Sequence, residues 1–268
     1  MCGDGTSNKG SESIKSVAKI IADDLITYYI GNTTTTPSTG SLLQYPPYFW
    51  WESGAMWGVI LDYWYATGDD TYNDMASVSI QSQTGTDNDF MPADQAFDMG
   101  NDDQVFWAIT ALDAAEANFQ NPPEGRPSWL GLAQAVYNEQ IGRWDNTTCG
   151  GGIRWQVSNQ SGGYHLKNTV NNGGLMQVAA RLARYTQDDS YAKWATKLWD
   201  WMWAIGLIDN ENWSVYDNTD ATHNCTTVDK SQWTYNGGSL LIACATMYNY
   251  VSIPLPTYEQ GSTVQDKR

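Results

Sequence analysis

A short turn motif occurs twice in this chain, each time between two segments with helical periodicity. Residues 67–76 read Thr-Gly-Asp-Asp-Thr-Tyr-Asn-Asp-Met-Ala, and residues 186–195 read Thr-Gln-Asp-Asp-Ser-Tyr-Ala-Lys-Trp-Ala. In both copies Asp-Asp-Thr/Ser-Tyr ends one helix and starts the next. Repeated helix hairpins bury their apolar faces by stacking into a solenoid or a closed toroid. The motif therefore predicts an all-α fold built from helix hairpins.

Apolar residues recur at intervals of three and four along most of the chain, which is typical of amphipathic helices. We predict eight helices, over about residues 11–28, 51–65, 72–83, 102–119, 128–144, 170–185, 190–205 and 236–250. The even-numbered helices begin with segments rich in glycine and aromatic residues, so we expect them to form an inner ring whose starts line one pit. The odd-numbered helices would form the outer layer. For the glycine-rich residues 149–156 we expect a short strand or hairpin.

The two ends of the chain differ from its helical centre. Residues 1–10 are polar and rich in glycine and serine, which indicates a disordered segment. Residues 11–250 carry the helices and form one domain. Residues 251–268 contain two prolines and no helical period, so we expect an irregular tail. We find no apolar run long enough to cross a membrane and no signal peptide.

The composition favours a neutral polar ligand. The 268 residues carry a net charge of -16, which argues against binding to nucleic acid or anionic membranes. Fourteen Trp and 16 Tyr stand against only 5 Phe. Trp and Tyr combine a flat apolar face with a polar group, as sugar-binding clefts require. Packing between helices is the alternative explanation for these rings.

Cysteines and glycosylation sequons favour a secreted or cell-surface protein. The four cysteines show no spacing that suggests a metal site, and a disulfide between Cys149 and Cys225 would fit an oxidising compartment. Five Asn-X-Ser/Thr sequons occur, at Asn32, Asn146, Asn159, Asn212 and Asn224.

Two adjacent acids, Asp102 and Asp103, stand where a loop becomes a helix. The following residues, 105–115, are too apolar for a solvated helix, so the acids lie at the mouth of something buried. Two carboxylates held close together are the minimal equipment for cleaving a glycosidic bond. The alternative is that one acid caps the helix and the other is solvated. We assign that alternative to the acid pairs 69–70 and 188–189, because each lies in the repeated turn.

Other polar and aromatic residues near the helix starts could line a sugar-binding cleft. Core packing is the alternative for the tryptophans, a hairpin for residues 154–156, and helix capping for the asparagines. The two histidines, His165 and His223, are not paired with a nucleophile, so a Ser/His/Asp mechanism is poorly supported. The candidate substrate-binding residues are Trp50, Trp51, Glu52, Asn101, Arg154, Trp155, Gln156, Lys167, Asn168, Asn172, Tyr235 and Asn236.

Several of these segments, taken in order, resemble glycoside hydrolase family 76, especially its fungal branch of α-1,6-mannanase-like cell-wall proteins. The resemblance covers about residues 11–250. The matching segments are residues 48–57 (Tyr-Phe-Trp-Trp-Glu-Ser-Gly-Ala-Met-Trp), 62–65, 100–104 (Gly-Asn-Asp-Asp-Gln), Trp144 with 148–156 (Thr-Cys-Gly-Gly-Gly-Ile-Arg-Trp-Gln), 167–168, 172–173, 179–183 and 233–236.

The resemblance implies an (α/α)6 barrel, here incomplete, with about eight of its twelve helices. It also implies a retaining mechanism on α-1,6-linked mannosides, with Asp102 as nucleophile and Asp103 as acid/base. Members of the fungal branch are thought to cut the mannose core of glycosylphosphatidylinositol anchors and to join the released protein to wall glucan. The resemblance implies no metal, no organic cofactor and a monomer.

An incomplete ring would expose inner apolar faces of the first and eighth helices, so we expect weak stability. A non-catalytic glycan-binding or structural wall protein on the same barrel is the alternative function. A polysaccharide lyase would need a Tyr/His or Lys base, which the sparse histidines do not favour.

Overall fold

The computed structural model describes residues 6–29, 39–42 and 47–252, and its architecture is all-α. Eight α-helices lie within these residues, and the turn motif joins α2 to α3 and α6 to α7, as predicted. The helices are α1 (Thr6–Ile26), α2 (Trp50–Thr67), α3 (Asn73–Ser82), α4 (Asn101–Glu116), α5 (Trp129–Gly142), α6 (Thr169–Thr186), α7 (Asp189–Ala204) and α8 (Thr234–Ser252).

The even-numbered helices form an inner layer. Helices α2, α4, α6 and α8 pack side by side in that order, and the most extensive helix contacts of α4 and α6 include these neighbours. Early residues of α4 contact early residues of α2 and α6, and later residues contact later ones, so these three helices are parallel and their N-terminal ends lie at one end of the layer. This arrangement confirms the predicted inner ring.

Small residues let the inner helices approach one another closely. A Cβ on Gly54 of α2 would lie 3.0 Å from the Trp107 ring of α4, and one on Gly174 of α6 would lie 2.7 Å from Val105 of α4. Trp107 is fully buried and stacks on Trp50 and Phe90. The glycines therefore make room for the large side chains that fill the seam between inner helices.

Three short strands lie near the starts of the inner helices. They are β1 (Leu166–Asn168), β2 (Asn218–Asp220) and β3 (Val228–Asp229), paired antiparallel in the order β1-β2-β3. The strand or hairpin expected in residues 149–156 is not formed, apart from a single bridge between Gly100 and Gln156. Gly151 and Gly152 have positive φ angles and lie under the rings of Trp144 and Trp201, so the backbone bends where a hairpin would extend.

The first and last helices of the described region leave apolar side chains exposed. Helix α1 begins at Thr6, five residues before the predicted start of the first helix. Ile14 of α1 is 71% exposed, and so are Leu241 and Val251 of α8. These faces are consistent with a ring that is open within the described residues. None of the helices described is long and apolar enough to cross a membrane.

Candidate active site

The acid pair occupies the first turn of α4. Gly100 precedes the helix, and its backbone N–H donates to Asp103 Oδ2 at 2.7 Å. Asn101 is buried and ties the turn to the segment 154–157, because its backbone N–H donates to the Trp155 carbonyl at 2.8 Å and its side chain to the Arg154 carbonyl at 2.9 Å. The helix start is therefore held from both sides. The buried Asn101 positions backbone, which corrects its prediction as a substrate contact.

The carboxylates of Asp102 and Asp103 lie close to each other. Asp102 Oδ1 and Asp103 Oδ2 lie 2.2 and 3.3 Å from the point that a Cβ on Gly100 would occupy, so these oxygens are at most about 5.5 Å apart. Retaining glycosidases hold their two carboxyl groups about 5–5.5 Å apart, and inverting enzymes about 6.5–9.5 Å. The spacing fits the retaining geometry, and Gly100 is required because any larger residue would displace Asp102.

Burial changes the ionisation of both acids. Burial and the nearby charge of Asp103 raise the pKa of Asp102 to about 7, and burial raises the pKa of Asp103 to about 6. The positive end of the α4 dipole favours the ionised forms but does not outweigh burial. Because the acids interact, these values describe two steps of one pair. Near pH 6 to 7 the pair shares a single proton, which is the state that acid/base catalysis requires.

Trp155 contacts the first acid directly. Its indole Nε1–H donates to both Asp102 Oδ1 and Asp102 Oδ2, at 3.0 Å each. The ring lies over Gly163, whose φ of +88° leaves the space that a Cβ would otherwise fill. Sequence reasoning placed Trp155 in the cleft wall, and the structure places it on the acid pair.

Lys167 anchors the glycine-rich loop and does not face a substrate. Its side chain is fully buried, and its ammonium donates to the carbonyls of Asp145, Thr148 and Gly151 and pairs with the Asp145 carboxylate at 3.1 Å. Burial lowers the pKa of Lys167. The prediction that Lys167 contacts substrate is corrected, because all of these contacts hold loop backbone.

The same loop is fixed by a disulfide. Cys149 and Cys225 are bonded, with Cα atoms 5.4 Å apart, which confirms the proposed pair. Asn224, next to Cys225, accepts a hydrogen bond from the Cys149 backbone N–H at 2.7 Å. The bridge joins the loop before Trp155 to the turn after β2.

Asn172 also holds backbone. It is fully buried, accepts from the Ile153 N–H at 2.9 Å and donates to the Ile153 and Asn168 carbonyls. This occupancy corrects its prediction as a sugar contact. The buried side-chain oxygens of Asn168 and Asn236 have no hydrogen-bond partner among the residues described, and Asn236 donates to Asp217 at 3.2 Å.

The residues at the start of α2 are mostly structural. Trp50 is buried and donates its indole N–H to Gln83 at 2.6 Å, so core packing replaces the predicted stacking role. Glu52 Oε2 accepts from the Phe49 backbone N–H at 2.6 Å and caps the helix, and its role as a hydroxyl acceptor stays a prediction. Trp51 stays partly exposed beside Phe106, with ring centroids 4.5 Å apart.

Arg154 and Gln156 flank Trp155 but point to other partners. Arg154 pairs with Asp145 at 2.8 Å and lies over the Tyr164 ring at 4.8 Å. Gln156 is buried, with its Oε1 unpaired among the described residues. Arg154 and Gln156 line one cavity together with Tyr164, and their role as cleft-wall contacts stays a prediction.

Two aromatic residues at the start of α8 remain accessible. Tyr235 is 46% exposed and Trp233 is 51% exposed, with nearly parallel rings whose centroids lie 6.2 Å apart. Burial and the charges of Asp217 and Asp102 raise the pKa of Tyr235. Trp233 is not among the candidate substrate-binding residues, although it lies only two residues before the candidate Tyr235.

The sequon asparagines lie on the surface wherever the structure describes them. Asn146, Asn159, Asn212 and Asn224 are exposed, and Asn32 lies outside the described residues. Glycosylation at these positions stays a prediction.

Comparison with known proteins adds the family context. The model of "Glycosyl hydrolase family 76" matches residues 13–259. Mannan endo-1,6-alpha-mannosidase DCW1 of Saccharomyces cerevisiae is 47% identical over 245 residues, which are 91% of this chain and 54% of that protein. Mannan endo-1,6-alpha-mannosidase DFG5 of Candida albicans is 36% identical, over 89% of this chain and 53% of that protein. The chain thus spans about half the length of these curated relatives.

Solved structures give the same picture of the fold. Dfg5 from Chaetomium thermophilum, in complex with glucosamine, superposes with a TM-score of 0.86 at 43% identity, over 90% of this chain and 60% of that one. An inactive α-1,6-mannanase variant from Salegentibacter sp., in complex with α-1,6-mannotriose, gives a TM-score of 0.68 at 20% identity, over 88% and 65%. At that identity the second likeness concerns the fold alone.

Proposed function

Because the chain belongs to glycosyl hydrolase family 76, we propose that its acid pair cleaves α-1,6-linked mannosides with retention of configuration. One observation carries the proposal: two half-buried carboxylates at the start of α4, with Asp102 Oδ1 and Asp103 Oδ2 at most about 5.5 Å apart. The whole relatives bear the name mannan endo-1,6-alpha-mannosidase, which supports α-1,6-mannan as the substrate class.

In the proposed first step, Asp102 attacks the anomeric carbon and Asp103 protonates the departing glycosidic oxygen. A covalent mannosyl-Asp102 ester forms as the glycosidic bond breaks, and the shared proton leaves with the released alcohol. In the free pair Asp102 has the higher pKa and so holds the proton more often. Positive charge developing at the anomeric carbon favours ionised Asp102, so the proton resides on Asp103 when the bond breaks.

In the proposed second step, Asp103 takes a proton from the incoming hydroxyl and that oxygen displaces Asp102. Water as acceptor completes hydrolysis, and a sugar hydroxyl completes transfer. We propose α-1,6-mannan or the mannose core of a glycosylphosphatidylinositol anchor as donor, and glucan as the sugar acceptor. The exposed rings of Trp51, Trp233 and Tyr235 are the surfaces on which sugars would stack.

We propose a secreted or cell-surface location and a monomeric state for the same chain. The Cys149–Cys225 disulfide and four exposed sequons support an oxidising, glycosylating compartment. The strongly acidic surface suits a neutral glycan as partner.

The test is turnover of α-1,6-mannotriose by the chain and by matched variants. We expect product release by the parent chain and loss of at least about 1,000-fold in Asp102→Asn and Asp103→Asn, because each removes one of the two reacting carboxyl groups. Asp188→Asn, at the start of α7, is the matched control and should leave turnover unchanged. Binding of mannotriose by the parent without turnover would replace this proposal by a glycan-binding function.

A further inference from the structure

Asp102 receives more hydrogen-bond donors than Asp103. The Trp155 indole N–H contacts both oxygens of Asp102, and the backbone N–H groups of Asp102 and Asp103 also favour its charged form. Asp103 receives one backbone N–H, from Gly100, on a single oxygen. A donor aimed at both oxygens of a carboxylate stabilises the ion and fixes the plane of the carboxyl group.

The position of the indole is itself fixed from three directions. The Trp155 backbone N–H donates to the Leu166 carbonyl of β1 at 2.7 Å, and its carbonyl accepts from the Asn101 N–H of α4 at 2.8 Å. The ring packs over Gly163, where a Cβ would lie 2.5 Å from it. An indole restrained in this way cannot turn aside when the charge on Asp102 changes.

We infer that Trp155 is a positioning residue for the proposed cleavage: its indole N–H stabilises the charged form of the Asp102 carboxyl group and fixes the direction of both its oxygens. The inference rests on the proposed function. Burial disfavours the charged nucleophile, and the indole N–H opposes that effect. A ring that served only as a sugar-stacking wall would not need its N–H on the acid.

The first experiment measures the ionisation of Asp102 without any turnover. Carbon-13 NMR of aspartate-labelled chain gives the carboxyl titrations, and Asp102→Asn identifies the signal. In Trp155→Phe we expect the pKa of Asp102 to rise by about one unit, because a donor to the charged form is lost while the aromatic ring remains. Trp213→Phe, at an exposed indole, is the matched control and should change neither acid. An unchanged or lowered pKa of Asp102 in Trp155→Phe would overturn the inference.

A second measurement needs no substitution at the site. The Nε1–H signal of Trp155 in a nitrogen-15 spectrum should move with the same midpoint as the Asp102 carboxyl carbon in the parent chain. A Trp155 signal that stays constant while Asp102 titrates would contradict the hydrogen bond and with it the inference.

Kinetics then separate positioning from folding. In Trp155→Phe the alkaline limb of the pH profile of kcat/KM should move upward together with the Asp102 titration, with a larger loss in kcat than change in KM. A merely structural role would lower activity at every pH by the same factor. If the parent chain shows no turnover, the proposed function fails, whereas the two NMR measurements still decide whether Trp155 controls Asp102.

Discussion

Two pairs of adjacent aspartates at helix starts have different surroundings, and the pKa values of their first acids are shifted in opposite directions. Asp102 and Asp103 open α4 in a crowded turn and have raised pKa values, for which burial is the main cause. Asp188 and Asp189 open α7 in solvent, where Asp188 accepts the Ser190 N–H at 2.8 Å and its pKa is lowered by that bond. The dipeptide is the same and lies within the first turn in both, with Asp188 at the N-cap of α7 and Asp102 two residues after the N-cap of α4. The residues that cover it decide whether it caps a helix or shares a proton.

The cover over the first pair is built from contacts distant in sequence. Trp155, 53 residues away, lies on Asp102, and the loop that carries it is tied down by Lys167 and by the Cys149–Cys225 bridge. Asp189 instead accepts from the hydroxyl of Tyr250, at the exposed surface between α7 and α8. An acid pair at a helix start therefore has raised pKa values only where a second segment covers it and excludes water.

Among changes that leave both acids in place, the largest effect should come from Gly100→Ala. Its Cβ would lie 2.2 Å from Asp102 Oδ1, so the flexible carboxylate must turn away while the extended backbone accepts alanine. We expect a loss of roughly 100-fold in kcat/KM on mannotriose with a nearly unchanged melting temperature. Gly142→Ala, at the end of α5 with no atom near the new Cβ, is the control and should keep full activity. Full activity in Gly100→Ala would show that the acids do not need this spacing.

The pH dependence of turnover should reveal the shared proton. Since the pair titrates with values of about 6 and about 7, kcat/KM should peak between them. Below pH 6 it should fall by roughly tenfold per pH unit, because both acids become protonated. Above pH 7 it should fall by a similar factor, because both acids ionise. If kcat/KM instead rises from pH 4 to pH 5 and is then constant to pH 8, both acids have ordinary pKa values.

Stability should respond to pH in opposite directions at the two pairs. The folded pKa of Asp102 lies above its unfolded value, so the free energy of unfolding falls as pH rises from about 4 to about 7. We expect Asp102→Asn to stabilise the chain by about 2 kcal/mol at pH 8 and hardly at all at pH 3.5.

Asp188 changes the free energy of unfolding in the opposite direction, because its pKa is lowered in the folded chain. Its contribution to stability is present above the unfolded pKa and is lost as the pH falls. Asp188→Asn should therefore lower stability slightly at pH 8. Urea unfolding of both variants at the two pH values makes the comparison. The same sign at both positions would contradict the contrast between the pairs.

The smallest effect is expected from Asp189→Asn. The side chain is exposed, and asparagine can still accept from Tyr250, so turnover and the midpoint of urea unfolding should match those of the parent. A loss of activity here would mean that the second pair also takes part in the chemistry.

The fold could be predicted because helical periodicity is a local signal. The turn motif and the apolar spacing indicate eight helices and an inner layer, and the structure confirms both. The three strands were missed because each has only two or three residues, as in Asn218–Asp220, too few to show an alternating pattern. Their pairing depends on contacts between loops, which periodicity does not describe.

The acid pair could be predicted, but most of its surroundings could not. Lys167, Asn172 and Trp50 are residue types that hold either a sugar or the protein's own backbone, and only the structure shows that they hold backbone and core. The contact of Trp155 with Asp102 depends on a loop whose path the sequence does not reveal. Local sequence signals locate the acid pair, and contacts distant in sequence determine its pKa values.

The central claim is that two carboxylates of α4 perform retaining chemistry within this part of the ring. The most direct test follows, by proton NMR at pH 6.5 and before mutarotation, the new reducing end that cleavage of α-1,6-mannotriose creates. The spacing of at most about 5.5 Å predicts that the α-anomer appears first. Initial release of the β-anomer, or no release at all from the parent chain, would contradict the account.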